Sequence, residues 1–454
     1  MKRTLLEESV LFISIFKWFF LATVVGIFVG SSTAIFLKAL EIGTLLTGQY
    51  TYYFIMLPAA FFLSSLTIKY LAPEAEGHGT EKVIEAVHKR SGKINPMVVP
   101  IKLVATIITI SFGGSAGKEG PCAQIGAGIS SVISGLLKFN NQDRKKLVIC
   151  GISAGFATVF GTPIAGAIFG VEVLFVGGLL YDVLFPSFVA GIVGYQAATM
   201  LGITYFHQPL QFVPMFSSLL FVKVCLSGIF FGLCAFVFIQ LMKKMEQLKK
   251  KLKMWEPYKG LIGGAALVML VFLFSERFLG LGLDTISSAL EGRDLNPLIF
   301  LGKMLFTSIT LSFGGSGGIV TPIFFIGATS GNAFANIFGL DVAMFSAIGM
   351  VAVLAGAANT PISASIMAVE LFGPAVAPYA AVACVISYLM TGHRSVYPSQ
   401  VLAVTKSPSI FVEKGVEMEQ MDSLQIKPRP RSIIGLILNI FRKLESLMSK
   451  DKTK

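Results

Sequence analysis

The sequence predicts an all-α polytopic membrane protein built as a tandem duplication. Two observations carry this reading. The chain has 454 residues, is 54% hydrophobic and only 14% charged, and its mean hydropathy is +0.75. Soluble domains carry about 25% charged residues. Apolar runs of membrane-helix character recur from residue 10 to residue 404. The second observation is a repeat. Ser111-Phe112-Gly113-Gly114-Ser115 returns as Ser312-Phe313-Gly314-Gly315-Ser316, a shift of 201 positions. Gly117, Pro121, Ile125, Gly126 and Ala127 return as Gly318, Pro322, Ile326, Gly327 and Ala328 at the same shift. Thr162-Pro163-Ile164 and Val171-Glu172 return as Thr360-Pro361-Ile362 and Val369-Glu370, shifted by 198. Broken apolar segments at matching places in two halves point to a transport site near the membrane midplane.

The elements follow in order. Lys2 and Arg3 precede the first apolar run, but Glu7 and Glu8 interrupt it. The run is too long for a signal peptide, and no small-x-small cleavage site closes it. Leu11–Leu46 is therefore expected as a first, retained helix, and Tyr52–Leu71 as a second. After a polar break at Ala72–Gly79, Thr80–Lys89 reads as an amphipathic helix with Thr80 as its N-cap. Met97–Ile110 leads to the first glycine stretch, and Pro121–Phe139 continues as a helix. Asn140–Lys146 reads as a polar loop. Leu147–Phe160 and Pro163–Leu179 read as helices around a Gly161-Thr162-Pro163 break, and Val183–Tyr205 closes the first half. The second half is expected as helices over Phe216–Leu252, Gly260–Phe278, Asn296–Leu311, Pro322–Phe338, Val342–Ala358, Pro361–Phe372 and Ala375–Met390. A polar link, His393–Pro398, leads to a short helix near Gln400. Ser432–Met448 has an apolar face suited to lying along a membrane surface. The domain reading is a cytoplasmic segment over 1–9, membrane repeats over 10–206 and 215–405, and a cytoplasmic tail over 406–454.

The net charge of +12 does not indicate nucleic acid, because the basic residues cluster in loops and tails. The run Lys243–Lys251 is strongly basic, which places that helix end in the cytoplasm. The five cysteines, Cys122, Cys150, Cys225, Cys234 and Cys384, show no metal or redox spacing and read as buried thiols.

The chemistry concentrates in Phe112–Gly128. Glycine-rich irregular backbone at membrane depth is tolerated only where it is buried or lines a polar cavity. Glu119 is one of few ionisable residues in the apolar part and is a functional candidate on that ground. Pro121 suits a first helical turn, so Gly117–Pro121 is expected as a helix N-terminus with free amides, which is an anion site. Lys118 reads as a cation that sets the local field, against the plainer alternative of a snorkelling surface lysine. A phosphate-binding loop fails at Phe112 and Glu119, which stand where glycine and Ser/Thr are needed. His78, Glu81, Glu85 and His88 fall short of a di-metal set, and a solvated polar face is the reading there. Glu172 and Glu370 sit at equivalent places on repeated helices. They read as helix-end carboxylates at least as readily as proton sites. No nucleophile–base pair stands out, and neither cofactor nor metal is called for.

Gly117-Lys118-Glu119-Gly120-Pro121, Gly318-Ile319-Val320-Thr321-Pro322, Ala165–Glu172 and Tyr397 together resemble the CLC chloride channel and transporter family. The likeness covers residues 10–405. It implies a CLC-type inverted-repeat helical bundle, a two-fold homodimer in the plasma (inner) membrane with cytoplasmic termini, and an anion path in each subunit. It also implies that Glu119 is a gate whose carboxylate mimics an anion. Backbone near Gly79, Gly120, Ile319, Val320 and Thr321 would bind the anion, and the Tyr397 hydroxyl would close the central site. Three departures stand out. His78 replaces a serine in Gly77-His78-Gly79-Thr80-Glu81, which bears on selectivity. Val173 takes the place of the inner proton glutamate, so the usual coupling route is missing. Val320 stands where phenylalanine is common.

The expectation is therefore chloride or related anion transport gated by Glu119, channel-like or weakly coupled to protons. The alternative is an exchanger of chloride or fluoride for protons that uses a different inner route. A reading of another class, a membrane-embedded enzyme using Lys118 and Glu119, lacks a second catalytic partner.

Overall fold

Helix α1, Lys2–Gly48, opens the chain and packs against a helix from the far end of the same half. The computed structural model describes residues 2–210, 217–421, 425–426 and 435. The first half continues with α2 (Leu57–Leu71), α3 (Thr80–Lys89), α4 (Val98–Ser111), α5 (Glu119–Leu136), α6 (Asn141–Phe160) and α7 (Pro163–Glu172). Strand β1 (Phe175–Val176) and α8 (Tyr181–Met200) complete it. The second half holds α9 (Ser218–Lys251), α10 (Glu256–Leu273), α11 (Leu283–Leu290), α12 (Ile299–Ser312) and α13 (Val320–Phe338). It ends with α14 (Val342–Ala358), α15 (Pro361–Phe372) and α16 (Ala377–Thr391). Strand β2 (Val401–Leu402) pairs parallel with β1, and β3 (Ile410–Phe411) pairs antiparallel with β4 (Gln425–Ile426). Among the described residues, six helices are long and apolar enough to cross a membrane.

The architecture is a helical bundle of inverted repeats, and the halves are tied by symmetric exchanges. The Gly117 amide donates to the Gly318 carbonyl at 2.7 Å, and Gly318 returns the bond to Gly117 at 2.6 Å. The Ser115 amide donates to Thr310 Oγ1 at 3.1 Å, and the Ser316 amide donates to Thr109 Oγ1 at 2.9 Å. Polar groups of each glycine loop are thus satisfied by the other half, as irregular backbone inside a bilayer requires. The core runs through both halves. Helices α13 and α14 are almost wholly buried, whereas α1 and α9 expose apolar side chains such as Phe12, Phe20, Leu219 and Val222.

Several expectations are corrected. Pro163–Leu179 is not one helix: α7 stops at Glu172, and Phe175–Val176 turn into β1. The expected helix near Gln400 is its partner β2, because Val401 and Ala403 donate to the Leu174 and Val176 carbonyls. Asn140–Lys146 is no loop. Asn140 accepts the Asp143 amide at 2.8 Å as N-cap, and the charged residues form the first turns of α6. Thr80 is not an N-cap; Gly79 holds that position, and Thr80 is the first helical residue. Helix α10 lies at Glu256–Leu273 rather than Gly260–Phe278, with Phe278 in a separate short turn. Helix α11 was not expected at all. The expected surface helix Ser432–Met448, apart from Gly435, lies outside the described residues, as does Phe216.

Candidate functional site

Glu119 opens α5, and its carboxylate reaches across to the first turn of α13. Oε1 accepts the amides of Val320 and of Thr321, the latter at 3.0 Å, while Oε2 accepts the Thr321 hydroxyl at 2.7 Å. The residue is fully buried. The seat follows from local sequence. Pro322 falls in the first turn of α13, and the amides ahead of it have no intrahelical partner. Those amides form the positive end of the helix dipole, which favours a negative charge. Donors arranged in this way suit a small anion as well as a carboxylate. Gly117 and Gly318 frame it tightly, since a Cβ on either would collide with the Glu119 carboxylate.

The 77–80 loop closes on the same place. Gly79 has a φ of 82°, which favours glycine, and a Cβ there would strike the Gly120 carbonyl. A Cβ on Gly120 would in turn strike the His78 carbonyl. Lys102 on α4 holds this loop: its ammonium donates to the Ala75 carbonyl at 3.0 Å and to that of Gly77. Lys303 on α12 does the same in the other half, donating to Phe278 at 3.1 Å and to Gly280 at 2.8 Å. Both lysines are fully buried.

Tyr397 enters from the 392–400 loop and is fully buried, its ring 5.6 Å from that of His78. His78 Nδ1 and Glu81 Oε2 are buried without a hydrogen-bond partner among the described residues, and the buried Tyr397 hydroxyl has no well-aligned one, interacting only loosely with the Thr80 side chain. Buried polar atoms are normally paired, so such a group of open atoms suits a ligand. Gln400 sets the position of Tyr397. Its Nε2 donates to the carbonyls of Val173 at 2.7 Å and Ala358 at 2.8 Å. Its Oε1 accepts Asn359 Nδ2 at 3.0 Å and Ser395 Oγ at 2.6 Å, and Ser395 Oγ accepts the Tyr397 amide at 2.9 Å.

Of the residues singled out from the sequence, the structure gathers Glu119, Gly120, Ile319, Val320, Thr321, His78, Gly79 and Tyr397 around one buried region. Lys118 is the half-buried residue preceding α5 and makes no ion pair among the described residues. Val173 is fully buried at the end of α7, its carbonyl held by Gln400. The amides that hold the Glu119 carboxylate belong to α13, in the other half. Lys102, Lys303, Asn359, Gln400 and Ser399 escaped the sequence reading. Lys102 and Lys303 had a signal, since they repeat at the shift of 201 inside apolar runs.

An inverted helical repeat with a carboxylate seated in another helix's N-terminal amides defines a membrane transport protein built around an anion site. The chain belongs to the voltage gated chloride channel family, whose profile matches residues 59–392. It is similar to a chloride/fluoride channel protein of Pseudomonas syringae pv. tomato, 37% identical over 391 residues, covering 85% of this chain and 86% of that one. It is also similar to the H(+)/Cl(-) exchange transporter ClcA of Klebsiella pneumoniae, 26% identical, covering 78% of this chain and 80% of that protein. Among solved structures, a CLC-type fluoride/proton antiporter superposes with a TM-score of 0.82 at 27% identity, covering 86% of this chain and 99% of that chain.

Proposed function

We propose that the chain exchanges a small halide, chloride or fluoride, for protons, with Glu119 as the movable occupant of the anion path. The observation that carries this is the seat of the Glu119 carboxylate between the Val320 and Thr321 amides and the Thr321 hydroxyl. An anion can take that seat only if the carboxylate leaves it. Hydrogen bonds to a charged group are worth about 1.5–3 kcal/mol each, and an unpaired buried carboxylate is costly. Departure is therefore cheapest in the protonated form, which links anion passage to proton binding. The open atoms at His78 and Tyr397 would serve an anion next along the path. The names of the Pseudomonas relative and the solved antiporter support chloride and fluoride as candidate substrates. Two-fold homodimers in a plasma (inner) membrane, with the basic end of α9 and both termini cytoplasmic, complete the reading. The basic run Lys249–Lys251 in the last turn of α9 supports that orientation.

Channel-like, uncoupled flux is the second reading. The observation favouring it is Val173, an apolar and fully buried side chain that cannot carry a proton. Reversal potentials in liposomes under separate halide and proton gradients test the two. Exchange shifts the reversal potential with the proton gradient. A potential that follows the halide gradient alone establishes the uncoupled reading.

A further inference from the structure

We propose that Lys406, where the chain turns polar, is a positioning residue for the Tyr397 hydroxyl and acts along an unbroken line of hydrogen bonds. This inference rests on the reading of that hydroxyl as a ligand of the transported anion.

Tyr397 sits in the 392–400 loop, which leaves the end of α16 and comes back to the end of α14. Lys406 holds both helix ends. Its Nζ donates to the Tyr388 carbonyl, in the last turn of α16, at 2.7 Å, and to Asn359 Oδ1 at 2.6 Å. The Tyr388 carbonyl is one of those that a helix end leaves without an intrahelical partner. Asn359 caps α14 with a φ of 57°, a left-handed conformation that asparagine adopts more readily than most residues. The Lys406 amide adds a third bond, donating to His393 Nε2 at 3.1 Å.

From Asn359 the line continues to Tyr397 without a gap. With Oδ1 taken by Lys406, Asn359 Nδ2 faces Gln400 Oε1 and the Arg394 carbonyl and donates to each at 3.0 Å. The same Gln400 oxygen accepts the Ser395 hydroxyl at 2.6 Å, and Ser395 Oγ accepts the Tyr397 amide at 2.9 Å. Asn359, Gln400 and Ser395 are buried. Loss of the Lys406 donor would strand Asn359 Oδ1 away from water, and the members of such a network relax together. The Tyr397 hydroxyl has no firm tie of its own, so its place depends on how its backbone is held. The Glu119 seat is built from α13 and lies off this line. The consequence is an effect on halide binding rather than on maximum flux. A plain tether for the chain after α16 is the competing role, and it would lower stability without acting through the Tyr397 hydroxyl.

The test uses the full chain, with chloride and fluoride binding read by calorimetry and flux read in liposomes against halide concentration. Lys406→Met, Tyr397→Phe and the double variant form a cycle. Lys406→Met should weaken halide binding by roughly tenfold, raise the half-saturating concentration and leave maximum flux in place. In the Tyr397→Phe background the same substitution should change affinity little, because the group it acts through is gone. Should Lys406→Met fail to fold, as size-exclusion would reveal, Asn359→Gly keeps the left-handed backbone and cuts the line one step further on, and the same cycle is read with it. Unmodified affinity in Lys406→Met, or an equal loss in both backgrounds, assigns Lys406 to the tether and overturns the proposal. The role of Tyr397 then still stands on weakened binding in Tyr397→Phe alone. Full affinity in Tyr397→Phe overturns the reading of the hydroxyl as a ligand, and the role of Lys406 with it.

Discussion

Glu172 and Glu370 each cap the helix on which the other lies. Glu172, on α7, accepts the amides of Ile362 and Ser363 at the start of α15, at 3.0 and 2.8 Å. Glu370, on α15, accepts the amides of Ile164 and Ala165 at the start of α7, at 2.9 and 2.8 Å. The shift of 198 that relates the two glutamates also relates their four amide donors. Each negative charge sits at a helix N-terminus, where the dipole favours it.

Glu172→Ala should destabilise the fold by about 1–3 kcal/mol, because it strands amides in a buried place. Glu370→Ala should cost less, since Glu370 is partly exposed whereas Glu172 is buried. Thermal unfolding in detergent reads the ranking, and an unchanged midpoint for Glu172→Ala would count against capping as its main role.

Glu119→Gln should leave halide flux faster and less dependent on pH, with proton movement abolished. A neutral amide no longer competes as an anion for the Val320 and Thr321 amides. Flux assays at several pH values check this. An unchanged pH dependence removes Glu119 from the gate.

Tyr397→Phe should fold normally, because the hydroxyl it deletes makes no well-aligned hydrogen bond among the described residues beyond an interaction with the Thr80 side chain. Halide affinity, read by calorimetry, should fall by about 1.5–3 kcal/mol if the anion is its partner. Equal affinity in both proteins would sink the assignment.

His78→Ser exchanges an open ring nitrogen for a shorter hydroxyl beside Tyr397. The relative permeability to fluoride, chloride and nitrate should shift. Identical selectivity in the variant would mean that only the backbone of residues 77–80 lines the path.

The glycine stretches and Glu119 were legible because the repeat marks them twice and because an ionisable residue is conspicuous in apolar surroundings. The seat of the carboxylate was legible only through the likeness to the CLC family, which named Val320 and Thr321. Local sequence alone offered the amides of α5, whereas fold topology supplies those of Val320 and Thr321 from the other half. Helix α11 was hidden by its eight residues, too short for a periodic signal. Its clue lay in Gly280 and Gly282, which mirror Gly77 and Gly79 ahead of α3. Lys102 and Lys303 passed as apolar-run residues because a single lysine barely alters hydropathy. Gln400 was opaque for another reason: its four partners lie on three separate segments. The sequence also gave no warning that β1 and β2, far apart in the chain, would compete with helix at Phe175 and Val401.

The crossed bonds of the two glycine loops bear on how the protein is made. While the first half is leaving the ribosome, the partners of Ser115, Gly117, Ile164 and Ala165 have yet to be synthesised. A half-finished chain in the bilayer must keep those amides wet, or shielded by an insertion factor, until α12 to α15 arrive. Neither half is then an independent folding unit, and separately expressed halves should be degraded alone yet rescue each other when co-expressed.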